Sequence, residues 1–255
     1  DGTDDGNYNT AIGYNALSTE DTGSSNTAFG YQALKNLNYN GAGYNTAIGY
    51  EAGEILTTGT NNTLVGALAG DALNTGGYNV AIGFSALTSE DTGSRNVAIG
   101  TSALTNLNYA GNGYNIAIGY DAGYNVSTGI RNTLVGGLAG DALTTGGYNT
   151  AVGMYALSAE DAHSANTAIG YGTLANQNAG ADAYNTAVGY NAGTTLTTGV
   201  YNTILGGNAG DAITSGHYNI AIGYNALGAE DAHGVNIAIG ANALSTLNAG
   251  GDGYN

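Results

Sequence analysis

Apolar and polar residues alternate over very short stretches of this chain, and each stretch breaks at a glycine. Residues 9–17 read NTAIGYNAL, and the phrase returns with variations along the whole sequence. The residue after its Asn is always β-branched, as at Thr10, Val80, Ile116 and Ile220, and the third is always apolar, as at Ile12, Phe29, Val65 and Leu205. A small Ala separates the two, except that every fourth phrase places Leu64, Leu134 or Ile204 there, and a Gly always follows, as at Gly13, Gly30, Gly49 and Gly66. Strand side chains alternate between faces, so positions one and three after Asn share a face. The pattern predicts a short strand whose β-branched and large apolar residues face a core, with Ala and Gly leaving the other face nearly bare. Seven after Asn stands an Ala, or Thr173 in one phrase, followed by Leu17 and Leu34 in the first two phrases of a set. The other two phrases have Gly53 and Gly70 there and recover an apolar residue three positions on, at Leu56 and Leu73. Each phrase therefore predicts two short inward-facing segments separated by turns.

The Asn recurs at Asn9, Asn26, Asn45, Asn62, Asn79, Asn96, Asn115, Asn132, Asn149, Asn166, Asn185, Asn202, Asn219 and Asn236. Spacings of 17, 19, 17 and 17 repeat, which gives a 70-residue superrepeat: 9–78, 79–148, 149–218 and a partial 219–255. A helix of this length is opposed by fixed Gly, β-branched residues and abundant Asn and Thr. Strands of four to five residues fit, but they cannot bury an apolar face alone. Stacking one coil on the next pairs their backbones and builds a continuous core. The expectation is an all-β parallel β-solenoid, or β-roll, of about 14–15 coils at a spacing of about 4.8 Å, continuous over 1–255.

Stacking places identical side chains above one another, so the Asn row predicts a structural ladder with each amide donating to the coil above. Tyrosines form two similar rows. One holds Tyr14, Tyr50, Tyr120, Tyr190 and Tyr224; the other, just before Asn, holds Tyr8, Tyr44, Tyr78, Tyr114, Tyr148, Tyr184 and Tyr218. Three readings stay open for them: packing against neighbouring chains, exposed stacking, or binding of sugars.

The repeated NTAIGYNAL phrase with its Gly-containing turn resembles the head repeats of YadA-type trimeric autotransporter adhesins. It resembles even more closely the repeat tracts of phage tail fibres. The likeness extends over essentially the whole chain. It implies a left-handed roll, association of three identical chains, and a rigid extracellular fibre at a cell surface or on a virion that displays or performs adhesion. Coils of 17 and 19 residues are longer than those usual in adhesin heads. Stalk heptads, a membrane anchor and a self-cleaving fibre chaperone are not seen in the sequence. Because residues 254–255 repeat residues 8–9, the chain is expected to be a segment of a longer protein or a subunit continued by its neighbour.

Composition narrows the function. A formal net charge of -16, from 3 Lys and Arg against 19 Asp and Glu, repels nucleic-acid phosphates and anionic lipid head groups. The chain has no Cys, which removes disulfides, thiol catalysis and Cys-based zinc sites. No apolar run approaches the length needed to span a bilayer, and no signal pattern opens the chain.

Candidate chemistry lies in turns. The pairs Glu20-Asp21, Glu90-Asp91, Glu160-Asp161 and Glu230-Asp231 recur 70 residues apart and read either as solvated turn charge or as calcium ligands. Four coils separate successive pairs, about 19 Å, too far to share one ion within a chain. Asp71, Asp141 and Asp211 form a second row suited to capping local amides. His163 and His233 follow acidic pairs only in the later superrepeats, where Thr22-Gly23 and Thr92-Gly93 stand earlier, and His217 is isolated. No nucleophile motif or phosphate loop accompanies them, so the chain does not read as an enzyme and implies no cofactor beyond calcium. The expanded loops 38–43, 108–113, 178–183 and 248–253 suit either recognition or relief of coil geometry. The leading expectation is a structural and adhesive fibre protein, homotrimeric, with a glycan or surface receptor as its partner. The alternatives are a filament subunit stacking end to end, since neither end shows a polar cap, and a glycan-binding solenoid.

Overall fold

A computed structural model describes residues 6–229, 232–247, 252 and 254. The chain divides into two compact units, Asp1–Ile130 and Arg131–Asn255. Each is a parallel β-solenoid, and among the described residues all regular structure is strand. The first unit contains β1 (Thr10–Ile12), β2 (Thr27–Phe29), β3 (Thr46–Ile48), β4 (Thr63–Val65), β5 (Val80–Ile82), β6 (Val97–Ile99) and β7 (Ile116–Ile118). The second contains β8 (Thr133–Val135), β9 (Thr150–Val152), β10 (Thr167–Ile169), β11 (Thr186–Val188), β12 (Thr203–Leu205), β13 (Ile220–Ile222) and β14 (Ile237–Ile239). Within each unit every strand pairs in parallel with the next in sequence, in register: Ala28 lies opposite Ala11 and Ala47, and Ala168 opposite Ala151 and Ala187. A slip in phrase length is absorbed in the turns, so 17- and 19-residue coils keep one register.

The strand's inner and outer faces are the reverse of the sequence expectation. The middle residue points inward: Ala28, Ala47, Leu64, Ala81 and Ala98 are enclosed, whereas Ile12, Phe29 and Ile48 are 54%, 52% and 40% exposed. The reason lies in the Asn. Positions zero, two and four after it share a face, so burying the Asn puts Ala and Gly inside with it. The coil is too thin for two large residues at one level. Leu64 shows this: a Cβ on Gly53 or Gly70 would come within 2.6 Å or 2.9 Å of its methyls. In the first two coils of a set the strand centre is Ala and the facing position Leu, as at Leu34 and Leu87, both enclosed; in the third coil Ala47 faces Gly53, whose space is taken by Leu34 and Leu64 of the coils on either side. The core is thus filled by Leu side chains that alternate between the two walls from coil to coil.

The second predicted strand is not extended. Asn15 and Leu17 have φ of 52° and 53°, and Gln32 and Leu34 have 56° and 49°. These left-handed residues aim successive N–H groups at opposite neighbours: Gln32 donates to the Tyr14 carbonyl at 2.8 Å and Leu34 to the Ala52 carbonyl at 3.1 Å. A left-handed Leu costs roughly 1–2 kcal/mol. Complete burial of its side chain and a coil-to-coil hydrogen bond offset that cost.

Candidate functional site

The Asn row forms a buried ladder, with its principal link at the backbone. In the first unit Asn62 Oδ1 accepts the Asn79 N–H at 2.9 Å, while Asn62 Nδ2 donates to the Gly76 carbonyl at 3.0 Å and to Asn45 Oδ1 at 3.1 Å. In the second unit Asn202 repeats this, accepting from Asn219 and donating to Gly216 and Asn185. One amide therefore satisfies the strand entry of the next coil and a turn carbonyl at once, a structural task.

The outer strand face of each unit exposes large apolar side chains, among them Ile12, Phe29, Ile118, Ile169 and Ile239. Its β-branched and apolar residues run between the two tyrosine rows, and none of the strand positions carries a charge. Tyr14, Tyr31 and Tyr50 stack at 5.5 Å and 5.2 Å, and Tyr184, Tyr201 and Tyr218 at 5.4 Å and 5.1 Å. Arg95 fills a step of the row before Asn, its guanidinium 4.9 Å from the Tyr78 ring and 5.9 Å from the Tyr114 ring. Arg131 lies over Tyr148 in the same way. Stacked this closely, the rings turn their faces to one another and present edges and hydroxyls outward.

The acidic pairs divide between inside and outside. Glu20, Glu90 and Glu160 are fully enclosed, in a corner position that neighbouring coils fill with Leu37, Leu56, Leu73 and Leu107. Asp21 and Asp161 are exposed. Solvated turn charge therefore describes these Asp residues but not the Glu, because the Glu carboxylate turns in to bind the backbone. Glu20 Oε1 accepts the Gly23 N–H at 2.6 Å and Glu90 Oε1 that of Gly93 at 2.7 Å. A Cβ on either glycine would meet the carboxylate at 2.4 Å. Burial pushes the Glu90 and Glu160 carboxyls above their ordinary range, opposed at Glu90 by the backbone N–H groups of Gly93 and Tyr109 and at Glu160 by His163. Glu230 and Asp231 lie outside the described residues, as do the ladder position at 255 and most of loop 248–253. Burial likewise raises the Asp71 and Asp211 carboxyls, and in both the backbone hydrogen bonds of the turn work against it.

At the third pair a histidine replaces the glycine. His163 Nδ1 lies 2.7 Å from Glu160 Oε1 and 3.9 Å from Asp161 Oδ1, and one ligand atom from each of the three residues falls within 4.8 Å of the others. The turn is fastened on two sides: the Asp161 carbonyl accepts from Thr144 Oγ1 of the preceding coil at 2.8 Å, and the His163 carbonyl from Asn149 Nδ2 of its own coil at 2.9 Å. The adjacent Ser164 hydroxyl accepts from Gly147 N–H at 3.1 Å, so it faces another coil rather than this acid and histidine. His217 Nδ1 accepts the Val200 N–H at 3.2 Å.

The expanded loops are tied down too. Ser24 bridges Ala42, and Ser94 bridges Asn112, each as an isolated parallel pair. In loop 178–183 the corresponding N–H of Ser164 instead finds Asp182 Oδ1 at 3.1 Å. Sequence reasoning missed the inward Glu, although its register with Leu37, Leu56 and Leu73, eleven after Asn, was a usable signal.

Among the described residues no helix is long and apolar enough to cross a membrane. No protein-family model, curated protein or solved structure matches the chain.

Proposed function

We propose that this protein is a structural and adhesive component of an extracellular fibre, at a cell surface or on a virion, built from copies of the chain that associate along their outer strand faces. The observation that carries the reading is the uncharged, β-branched and aromatic strand face. Seven strands about 4.8 Å apart, with an outer surface roughly 20 Å wide between the tyrosine rows, give on the order of 600 Å² per unit. That is at the upper end for a single exposed patch on a monomer, about 300–600 Å². The net charge of -16 opposes association in general, but the strand positions themselves carry no carboxylate, so two copies meet there without desolvating one. Self-association into a homotrimer is the form that the sequence resemblance implies.

Stacking of the tyrosines on one another leaves few free ring faces for sugars, which favours packing over glycan binding in these rows. Lysines at Ile48 and Ile118, 40% and 37% exposed, test the reading. Ile48→Lys with Ile118→Lys is expected to leave the far-UV spectrum unchanged and convert an oligomer to a monomer in light scattering. Unaltered association would exclude the strand face. The end-to-end filament remains the second reading, because coils that stack in parallel and in register suit continuation from one copy to the next. Fibres that lengthen with concentration under the electron microscope distinguish it from rods of fixed length.

A further inference from the structure

We infer that Glu160, Asp161 and His163 form a binding site for a first-row divalent cation of the zinc type. Three observations converge on it. The ligand set is one imidazole nitrogen and two carboxylates, and their atoms already lie within 4.8 Å of one another. Around a tetrahedral ion with bonds of about 2.1 Å, ligand atoms sit about 3.4 Å apart. The His163 Nδ1 distances of 2.7 Å to Glu160 and 3.9 Å to Asp161 bracket that value. Second, Glu160 is completely enclosed, and its Oε2 has no hydrogen-bond partner. A buried carboxylate oxygen with nothing to accept from is costly, and a cation satisfies it. Third, the turn's backbone is held by Thr144 and Asn149, so the three side chains project from a fixed frame. Asp161, at 51% side-chain exposure, leaves the site open to solvent for entry and for a water ligand.

The chemistry selects the ion. Calcium takes six to eight oxygens, whereas imidazole with carboxylates suits zinc and its neighbours. In the first two superrepeats Gly23 and Gly93 stand where His163 does; the backbone N–H at that position binds the Glu in all three, at 3.2 Å from His163, and only the third adds an imidazole. The sequence Glu-Asp-Ala-His returns at 230–233, whose first two residues lie outside the described structure.

The test is calorimetric titration of ZnCl₂ into the metal-free full chain at neutral pH, with CoCl₂ absorption reporting the ligand set. The decisive variant is Ala162→Thr with His163→Gly, which installs the Thr-Gly that the chain already folds around at 22–23 and 92–93. Wild type is expected to bind Zn²⁺ saturably and to give a Co²⁺ visible band. The variant is expected to lose one equivalent, while His217→Ala keeps full stoichiometry and CaCl₂ does not compete. Absence of Zn²⁺ uptake by wild type would overturn the site. So would unchanged stoichiometry in the Thr-Gly variant, loss of the equivalent in His217→Ala, or displacement of Zn²⁺ by Ca²⁺.

Discussion

At the residue scale, two positions set the inside of the coil. Gly66 has φ of 136°, and a Cβ there would lie 2.5 Å from the Gly83 carbonyl oxygen of the next coil. Gly66→Ala is therefore expected to cost about 3 kcal/mol or more in chemical denaturation, from backbone strain and overlap together. A change below 1 kcal/mol would mean the coils are not stacked this closely. Glu90 is the second. Its ordinary value is 4.5, and burial holds the folded carboxyl above that. A raised carboxyl pKa favours the folded state fully below the unfolded value, and the benefit is lost as pH rises through the folded value. Glu90→Gln keeps an acceptor for Gly93 and removes the ionisation. The variant is expected to exceed wild type in stability at neutral pH, with the gap closing as pH falls to about 4.5. A pH-independent gap would contradict the inward carboxylate. The Gly was legible in the sequence because it never varies among the phrases. The inward Glu was not, since a charged pair in a turn is usually solvated and only its register with a row of leucines says otherwise.

At the scale of the coil, the unit of design is the exchange between strand centre and opposite wall. Leu64 fills the space left by Gly53 and Gly70, and Ile204 that left by Gly193 and Gly210. Leu64→Ala opens this space and is expected to cost about 2–5 kcal/mol. Adding Gly70→Leu, the facing position of the same coil, restores the Ala–Leu pattern of the first two coils of a set and should recover part of the loss, since Leu34 already adopts the same left-handed backbone there. Additive costs in a double-mutant cycle would contradict the exchange. Strand position, register and the 17- and 19-residue coils were all readable from spacing. The facing of the strand was misread because apolar size was taken as the guide to the core. In so thin a coil the hydrogen-bonded Asn decides the inner face, and small Ala is the residue that fits beside it. The second wall was also read as strand, since no sequence signal marks a leucine with positive φ; Gly53 and Gly70 at the same position were the available hint.

At the scale of the molecule, putting Ala and Asn inside leaves Thr, Val, Ile and Phe outside, and that inversion supplies the face on which the proposed association rests. The repeat was legible from the Asn spacing alone, but a surface used only after assembly leaves no local motif. The most direct test is sedimentation equilibrium of the full chain across micromolar concentrations. Association through the strand face, in the homotrimer that the sequence resemblance implies, predicts a mass of three times the 25.3 kDa chain. A single species at 25.3 kDa over that whole range would contradict it.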